Sequence, residues 1–305
     1  MKGLKRIALV TAIAAAPFAA NADLKALDDS AMGNVTGQAG VTIELQTRVD
    51  IGKFTYTDEG SFEVNDISIG GESVGGGDAG KDNLDNLALV IDVEADGDAV
   101  IHVATLESFD TGAGYSVPVP IDYGLSTGDI NLVSSDGSQS TTLLSNLTMH
   151  GDLAALDIRV DTEGDNSNAG VGDVLGIDAK FDVDNLDVDV PFMAVGIRGM
   201  VITGSDGEPE VVNDGVGAID YAVVSMEIYK GTAAGVVEYD ATGAVTGRDN
   251  EGGDALVVAI DDISMDVYID QVLVGGTAGA PDRNIGSIAM DNLQISNTTL
   301  KVYGH

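Results

Sequence analysis

The segment Asp85-Asn-Leu-Ala-Leu-Val-Ile-Asp-Val93 joins an Asp-Asn pair to a run of mainly apolar residues. Alternation of apolar and other residues has the period of a half-buried β-strand. Similar alternation recurs at residues 41–49, 186–190 and 263–269. Stretches rich in Gly, Asp and Ser, which favour turns, lie between such runs. The sequence therefore predicts an all-β fold.

A short signature recurs along the chain: an Asp/Asn pair or near equivalent, then Leu or Ile, a variable residue and another apolar residue. It occurs at Asn65-Asp66, Asp85-Asn86, Gly128-Asp129, Ser145-Asn146, Asp184-Asn185, Asp261-Asp262 and Asp291-Asn292. Successive copies are 20, 43, 17, 39, 77 and 30 residues apart, mostly near multiples of about twenty. This spacing predicts the rungs of an elongated, solenoid-like parallel β-helix. Because Asp-Asn is also common turn chemistry before a strand, a β-sandwich is the alternative.

The N-terminus predicts export. Residues 1–22 have the basic start, apolar run and Ala20-Asn21-Ala22 ending of a signal peptide. The apolar run is shorter than the roughly 20 residues that span a bilayer, so no integral membrane span is expected after cleavage. Residues 23–40 show helical periodicity at Leu24, Leu27 and Ala31 and predict a short capping or docking helix. Residues 41–305 are predicted to form the β-rich domain.

The chain is strongly acidic. Its formal net charge is −36, which becomes −39 once the three basic residues of the predicted signal peptide are removed. Nucleic acid is excluded as a natural partner, because phosphate binding needs clustered Lys and Arg. Hydrophobic residues still make up 44% of the chain, which is typical of a folded protein and not of a disordered acidic tail. Self-repulsion of this size favours screening by salt or binding of cations.

Residues suited to catalysis are scarce. The chain has no cysteine and three histidines, His102, His150 and His305, none of them in a recognised catalytic motif. It contains no Walker or His-Glu-x-x-His sequence. Paired carboxylates are uninformative among 50 Asp and Glu residues. The sequence therefore predicts that the protein is not an enzyme and has no catalytic residues.

Calcium is the cofactor that the acidic loops suggest, because hard cations prefer carboxylate and carbonyl oxygens on flexible loops. No segment has the EF-hand spacing or the nonapeptide of calcium-binding β-rolls. Four loops nevertheless bring carboxylates together in the sequence. Their candidate ligands are Asp78 and Asp82; Asp96 and Asp98; Asp161, Glu163 and Asp165; and Asp249, Glu251 and Asp254. A solvated acidic surface is the alternative explanation for these residues.

The residues after the predicted signal peptide carry a family pattern. Residues 24–40, Leu-Lys-Ala-Leu-Asp-Asp-Ser-Ala-Met-Gly-Asn-Val-Thr-Gly-Gln-Ala-Gly, fit Leu-x-x-Leu-x-x-x-x-Met/Leu-x-x-Val-Thr-Gly-Gln-x-Gly. This pattern resembles the mature start of a family of exported proteobacterial proteins, some of them assigned to a Fil-type pilus system. Residues 291–305 carry a second similar feature. The resemblance implies an envelope or pilus-associated role and brings no catalytic residue, cofactor or defined partner.

These features together predict an exported structural or surface-interaction protein, such as a pilus-associated component or an adhesin. Its expected partners are other envelope or pilus subunits, including further copies of the same chain. The expected location is the periplasm, the outer-membrane surface or the cell exterior. The alternative is a periplasmic module that binds cations or small ligands.

Overall fold

The computed structural model describes residues 40–110, 116–164, 167, 170–205, 212–213, 218–219, 221–249, 251–275 and 282–303. These residues belong to one compact unit, Gly40–His305. The predicted signal peptide and almost all of the predicted capping or docking segment 23–40 lie outside the described residues. Within the described part, no helix is long and apolar enough to cross a membrane.

The described chain consists of β-strands and two 3₁₀ turns, Glu72–Gly75 and Pro191–Met193. The strands of the first half are β1 (Val41–Thr47), β2 (Val49–Thr57), β3 (Ser61–Gly70), β4 (Leu84–Val93), β5 (Ala99–Thr105), β6 (Ser108–Asp110), β7 (Ser116–Pro118), β8 (Ile121–Thr127), β9 (Ile130–Val133) and β10 (Ser140–Asp161). Those of the second half are β11 (Val174–Phe181), β12 (Val183–Val190), β13 (Val195–Thr203), β14 (Val212–Asn213), β15 (Ala218–Ile219), β16 (Ala222–Thr232), β17 (Val236–Tyr239), β18 (Val245–Asp249), β19 (Asp254–Val274), β20 (Arg283–Asn284) and β21 (Ile288–Val302).

All pairings between the described strands are antiparallel. The all-β prediction is confirmed. The parallel β-helix is not what these strands form, because direction reverses between neighbours and no parallel rungs are present among them. One sheet contains fifteen strands, and β6–β7, β14–β15 and β17–β18 form two-stranded sheets. A sandwich-like all-β class fits this arrangement.

The long strand β10 organises the large sheet. Its first half pairs with β9, β8 and β12, and its second half pairs with β5 and β11. β19 has the corresponding role in the second half of the chain, where it pairs with β16 and β13. Because β11 joins β16 and β12 joins β13, two routes of paired strands connect β10 with β19. Both routes lie on the same side of β10 and of β19, because β11 and β12 follow one another along β10 and β16 and β13 follow one another along β19. The sheet therefore remains open, with β1 and β2 at one end and β21 at the other.

The hydrophobic core lies among the strands of this large sheet. In the first half, Leu87 on β4, Val103 on β5 and Ile121 on β8 form a buried cluster. In the second half, strands β11, β12, β16 and β19 contribute buried apolar side chains, among them Val174, Val183, Ala222, Val257 and Val267. Full burial of one Val, Leu or Ile side chain contributes roughly 1.5–3 kcal/mol, so these side chains stabilise the fold of a chain that contains no cysteine.

Four of the seven copies of the Asp/Asn signature place a left-handed residue inside a strand. Asp66, Asn86, Asn146 and Asn292 have φ values of 49°, 56°, 53° and 56°, in the left-handed region. The ladder shifts register beside Asn86 in the β1–β4 pair, Asn146 in the β10–β12 pair and Asn292 in the β19–β21 pair. An extra residue in one strand makes a β-bulge, and Asn and Asp tolerate a left-handed backbone better than other side chains. The copies at Asn86, Asn146 and Asn292 therefore mark bulges in antiparallel strands and not solenoid corners.

Candidate functional site

The predicted calcium ligands fall in separate regions of the structure. Six of them belong to no group of three carboxylates close enough to share an ion, among the residues described: Asp78, Asp82, Asp161, Glu163, Glu251 and Asp254. Asp82 accepts a hydrogen bond from the Ser73 hydroxyl (2.6 Å), and Asp254 pairs with Lys230 at the surface (2.9 Å). Two further predicted ligands lie outside the described part, Asp165 and the side chain of Asp249.

Two of the predicted loops do come together. The loop before β5 and the loop after β10 are neighbours because Ala99 pairs with Val160. The fully buried Asp98 carboxylate accepts hydrogen bonds from the Thr162 backbone N–H (2.8 Å) and hydroxyl (3.1 Å). These bonds fix one loop against the other, which is a structural role for Asp98.

The first of these loops contains a group of three carboxylates. Oxygens of Glu94, Asp96 and Asp98 lie within 4.8 Å of one another. Arg159 donates a hydrogen bond to Glu94 (3.0 Å) and offsets part of that charge. Asp96 accepts a hydrogen bond from the Asp98 backbone N–H (3.1 Å). The group therefore has internal partners as well as the oxygen ligands that a hard cation prefers.

A second carboxylate group was not predicted from the sequence. Asp152 on β10, the buried Asp182 between β11 and β12, and Asp184 on β12 have oxygens within 4.8 Å of one another. Asp152 and Asp182 are held by two bonds: the Asp152 N–H donates to the Asp182 carboxylate (2.7 Å), and the Asp182 N–H donates to the Asp152 carbonyl (2.9 Å). Residues that are 30 or more apart in the sequence meet here because β10 pairs with β11 and β12.

A lysine extends this group towards the 3₁₀ turn. Lys81 makes ion pairs with Glu72 (2.9 Å) and with Asp122 (3.0 Å), which pairs with Asp152 across β8 and β10. One oxygen of Asp122, Oδ1, is buried and accepts no hydrogen bond within the described part of the chain. We call Glu72, Lys81, Asp122, Asp152, Asp182 and Asp184 the acidic junction. Its formal charge is −4 when every carboxyl is ionised.

The electrostatics of the acidic junction favour protonation of Asp152 and Asp182. Burial first, and then the neighbouring carboxylates led by Asp184, raise the pKa of Asp152 to about 6. Burial is also the main reason that the pKa of Asp182 rises to about 7, with Asp152 and Asp184 adding to the rise. Burial lowers the pKa of Lys81, but its bonds to Glu72 and Asp122 outweigh that effect and raise it. The junction therefore takes up protons near neutral pH.

Glycines let the 3₁₀ turn lie directly on the sheet at this place. A Cβ on Gly75 would collide with the Met149 carbonyl of β10, and one on Gly124 of β8 would collide with the Gly71 carbonyl. The imidazole of His150 contacts the Gly75 carbonyl (3.3 Å). The close approach carries Glu72 and Lys81 to the carboxylates of β8 and β10.

The same turn contains Gly71-Glu72-Ser73-Val74-Gly75, which fits the Gly-x-Ser-x-Gly pattern of serine hydrolases. The structural context differs from a nucleophile elbow, because the turn follows β3 in an antiparallel sheet and leads to no helix in the described chain. The Ser73 hydroxyl hydrogen-bonds the Lys81 carbonyl (2.8 Å) and the Asp82 carboxylate (2.6 Å). These bonds close the turn and give Ser73 a structural role.

Two exposed edges of the large sheet form the second candidate site. Within the described chain, β1 pairs only with β4, β2 only with β3, and β21 only with β19. We call residues 41–57, which comprise β1, Arg48 and β2, the N-terminal edge, and β21 the C-terminal edge. Of the 25 large hydrophobic side chains exposed in the described chain, eleven lie on these edges. They are Val41, Ile43, Val49, Ile51, Phe54 and Tyr56 on the first, and Ile288, Met290, Ile295, Leu300 and Val302 on the second.

Both edges are neutral in a chain whose net charge is −36. The N-terminal edge contains two acidic and two basic residues, Glu44, Asp50, Arg48 and Lys53. The C-terminal edge contains Asp291 and Lys301. Neither edge contains a proline, a residue that natural proteins use to protect exposed strands from pairing.

Comparison with known proteins gives one match. A family of unknown function (DUF6160) matches residues 1–95. The match covers less than a third of the chain, and it spans β1 to β4 among the described strands. No match was found among curated proteins or solved structures.

Proposed function

We propose that this chain is an exported structural or surface-interaction protein that assembles with other envelope or pilus subunits through the free edges of its sheet. The observation that carries the proposal is the pair of exposed, charge-neutral edge strands. A strand with an unpaired edge binds another strand through main-chain hydrogen bonds, a common mode of subunit association. Their apolar side chains add surface that association removes from water.

The sequence supports export as part of the same proposal. Residues 1–22 have the composition of a signal peptide, and residues 24–40 resemble the mature start of exported, pilus-associated proteins. The expected location is therefore the periplasm, the outer-membrane surface or the cell exterior. The proposal assigns no catalytic residue to the chain.

The test uses the native host. Protein recovered from the envelope fraction should have an intact mass that corresponds to a chain starting at Asp23. A single cysteine at Thr55 of β2, in a chain with no other cysteine, should form adducts with envelope subunits after thiol-specific cross-linking. A cysteine at Ser135, which is exposed in the β9–β10 turn, is the control. An intact Met1 and a cytosolic location would contradict the proposal, as would an adduct yield at Thr55 no higher than at Ser135.

The acidic junction supports the alternative function, a periplasmic module that binds cations. Burial is the main cause of the raised pKa values of Asp152 and Asp182, and a divalent cation would offset the repulsion between carboxylates that adds to the rise. The effect of calcium on thermal stability distinguishes the two functions, because strand-edge assembly does not require an ion at the junction.

A further inference from the structure

The directions of the two edges suit continuation of the sheet. Seven successive antiparallel pairings lead across the sheet from β2 to β21. The strands between them are, in order, β3, β8, β10, β11, β16 and β19. Direction reverses at each pairing, so β21 runs opposite to β2. Consider a second copy in the same orientation, with its N-terminal edge beside β21 of the first copy. The two adjacent edge strands would then run antiparallel. Every other pairing in the described sheet has that geometry.

The lengths of the two edges also match. β21 has 15 residues and pairs along its length with β19, from Ile288 opposite Ile269 to Val302 opposite Leu256. The N-terminal edge runs for a similar length, from Val41 to Thr57. At about 3.3 Å per residue, each edge offers close to 50 Å of backbone.

The charges on the two edges have complementary spacing. Glu44 and Lys53 are nine residues apart, and Asp291 and Lys301 are ten residues apart. An antiparallel alignment that sets Lys301 beside Glu44 also brings Asp291 to the neighbourhood of Lys53. The bulge at Asn292 supplies the additional residue between the two charges of β21. Lys53 already pairs with Glu63 (2.7 Å), and its side chain remains 48% exposed.

We propose that the partner of each edge is a second copy of this chain, joined head to tail, with β21 of one copy adding to the β1–β2 edge of the next. This inference rests on the proposed function and names the partner in it. A head-to-tail contact uses different surfaces on the two copies, so it leaves one free edge at each end and extends to longer assemblies. Neutral edges let two copies of an acidic chain approach without direct repulsion at the interface. Each contact between two copies covers the C-terminal edge of one copy and the N-terminal edge of the other.

Paired cysteines test this geometry. Aligning Lys301 with Glu44 places Thr299 opposite Gln46, and both residues are exposed. The full-length exported chain carrying Gln46→Cys and Thr299→Cys should give a ladder of disulfide-linked dimers, trimers and larger species under mild oxidation. The two single variants mixed together should give dimers only, and neither alone should cross-link above the level of Ser135→Cys. Efficient dimers of either single variant would overturn the head-to-tail geometry, as would absence of the ladder.

A lysine in the edge provides a second test that does not depend on the exact alignment. Met290→Lys introduces a charge on β21, and lysine on a strand edge opposes pairing with another strand. We expect this variant to sediment as a monomer when the unmodified chain sediments as oligomers. Leu132→Lys is the matched control, because Leu132 is 48% exposed on β9, which has β3 and β10 on its two sides. Equal oligomer distributions for the two variants would overturn the inference.

A third measurement separates this inference from the proposed function. A chain starting at Gly40 retains every described strand, and we expect it to keep the cysteine ladder. Loss of the ladder with far-ultraviolet circular dichroism unchanged would show that the residues before Gly40 join the copies, and it would overturn the inference. Adducts of the Thr55 cysteine with other envelope proteins, without adducts to a second copy, would overturn the inference and leave the proposed function standing.

Discussion

At the scale of single residues, backbone conformation explains the most regular feature of the sequence. Asn and Asp recur because several bulges need a left-handed residue inside a strand, a conformation that costs most other residues about 1–2 kcal/mol. Asn146 shows the principle within the central strand β10: its φ is 53°, and its side-chain amide donates a hydrogen bond to Asp189 (2.7 Å). Both the backbone and the amide therefore favour Asn at this position.

We expect Asn146→Gly to be more stable than Asn146→Ala by about 1 kcal/mol, because both variants lose the amide but only glycine accepts the left-handed backbone without strain. Urea denaturation measures the difference. At Thr141, an exposed residue of the same strand without this conformation, the order should reverse, with alanine more stable than glycine. The same order of stability at both positions would contradict the assignment of backbone strain.

The raised pKa values of Asp152 (about 6) and Asp182 (about 7) predict a pH dependence of stability. Both exceed the ordinary value of an aspartic acid, so the folded state binds more protons than the unfolded chain between about pH 4 and pH 7. Their stabilising contribution is present below that range and is lost as the pH rises through the two values. We expect the Tm to fall from pH 5 to pH 8, and Asp182→Asn to make the fall smaller.

The control for this experiment is Asp92→Asn, which removes the charge of an exposed carboxylate on β4. It accounts for the general effect of lowering the negative charge of the chain. If both variants flatten the pH profile equally, the buried carboxyl of Asp182 is not the source of the pH dependence.

At the scale of elements, close backbone approaches and one ion-paired lysine hold the 3₁₀ turn Glu72–Gly75 and the segment that follows it against the sheet. The turn approaches β8 and β10 through glycines, and Lys81 joins Glu72 of the turn to Asp122 of β8. The carboxylates of Glu72 and Asp122 are 11% and 16% exposed, so removing their cation leaves two poorly solvated charges together.

Lys81→Ala should therefore lower the free energy of unfolding at pH 8 by about 2 kcal/mol, in the range of hydrogen bonds to charged groups. Lys230→Ala is the matched control, because Lys230 pairs with Asp254 at a similar distance (2.9 Å) but both side chains are more than 70% exposed. Surface pairs of this kind contribute at most about 1 kcal/mol. Equal losses in denaturant titrations would show that Lys81 does not hold the turn.

At the scale of the whole molecule, the net charge of −36 acts against compaction. Salt screens this repulsion at all positions, whereas a bound ion neutralises it at one place. Three carboxylate oxygens that could bind one ion converge at two places in the described chain. The first is the loop group Glu94, Asp96 and Asp98, and the second is Asp152, Asp182 and Asp184 of the acidic junction.

We expect sodium chloride to raise the Tm at pH 8 and millimolar calcium to raise it further at matched ionic strength, because ligands of the folded state stabilise it. Asp184→Asn should abolish the additional increase if calcium binds at the acidic junction, and Asp96→Asn should abolish it if calcium binds at the loop. Thermal unfolding of both variants locates the ion. A calcium effect no larger than that of the sodium chloride control would disprove both sites and leave the repulsion argument intact.

Much of the local structure was readable from the sequence because it depends on short-range chemistry. Alternation in Leu87–Val93 and Val41–Val49 predicts strands correctly, since a strand presents successive side chains to opposite faces. The Asp/Asn signature is visible in the sequence, but its spacing alone does not distinguish a bulge inside an antiparallel strand from a corner of a parallel rung. Asp96 and Asp98 were recognised as neighbours because they are close in the sequence.

The sequence by itself determined the strand content, the acidic charge and the positions that need Asn or Asp, because these follow from side-chain chemistry and from backbone preferences of one or a few residues. Only the tertiary structure decided strand direction, register and free edges, because pairing joins residues that are distant in the chain. Asp152, Asp182 and Asp184 meet through the register of β10 with β11 and β12. β1–β2 and β21 are edges because the described strands pair with them on one side only.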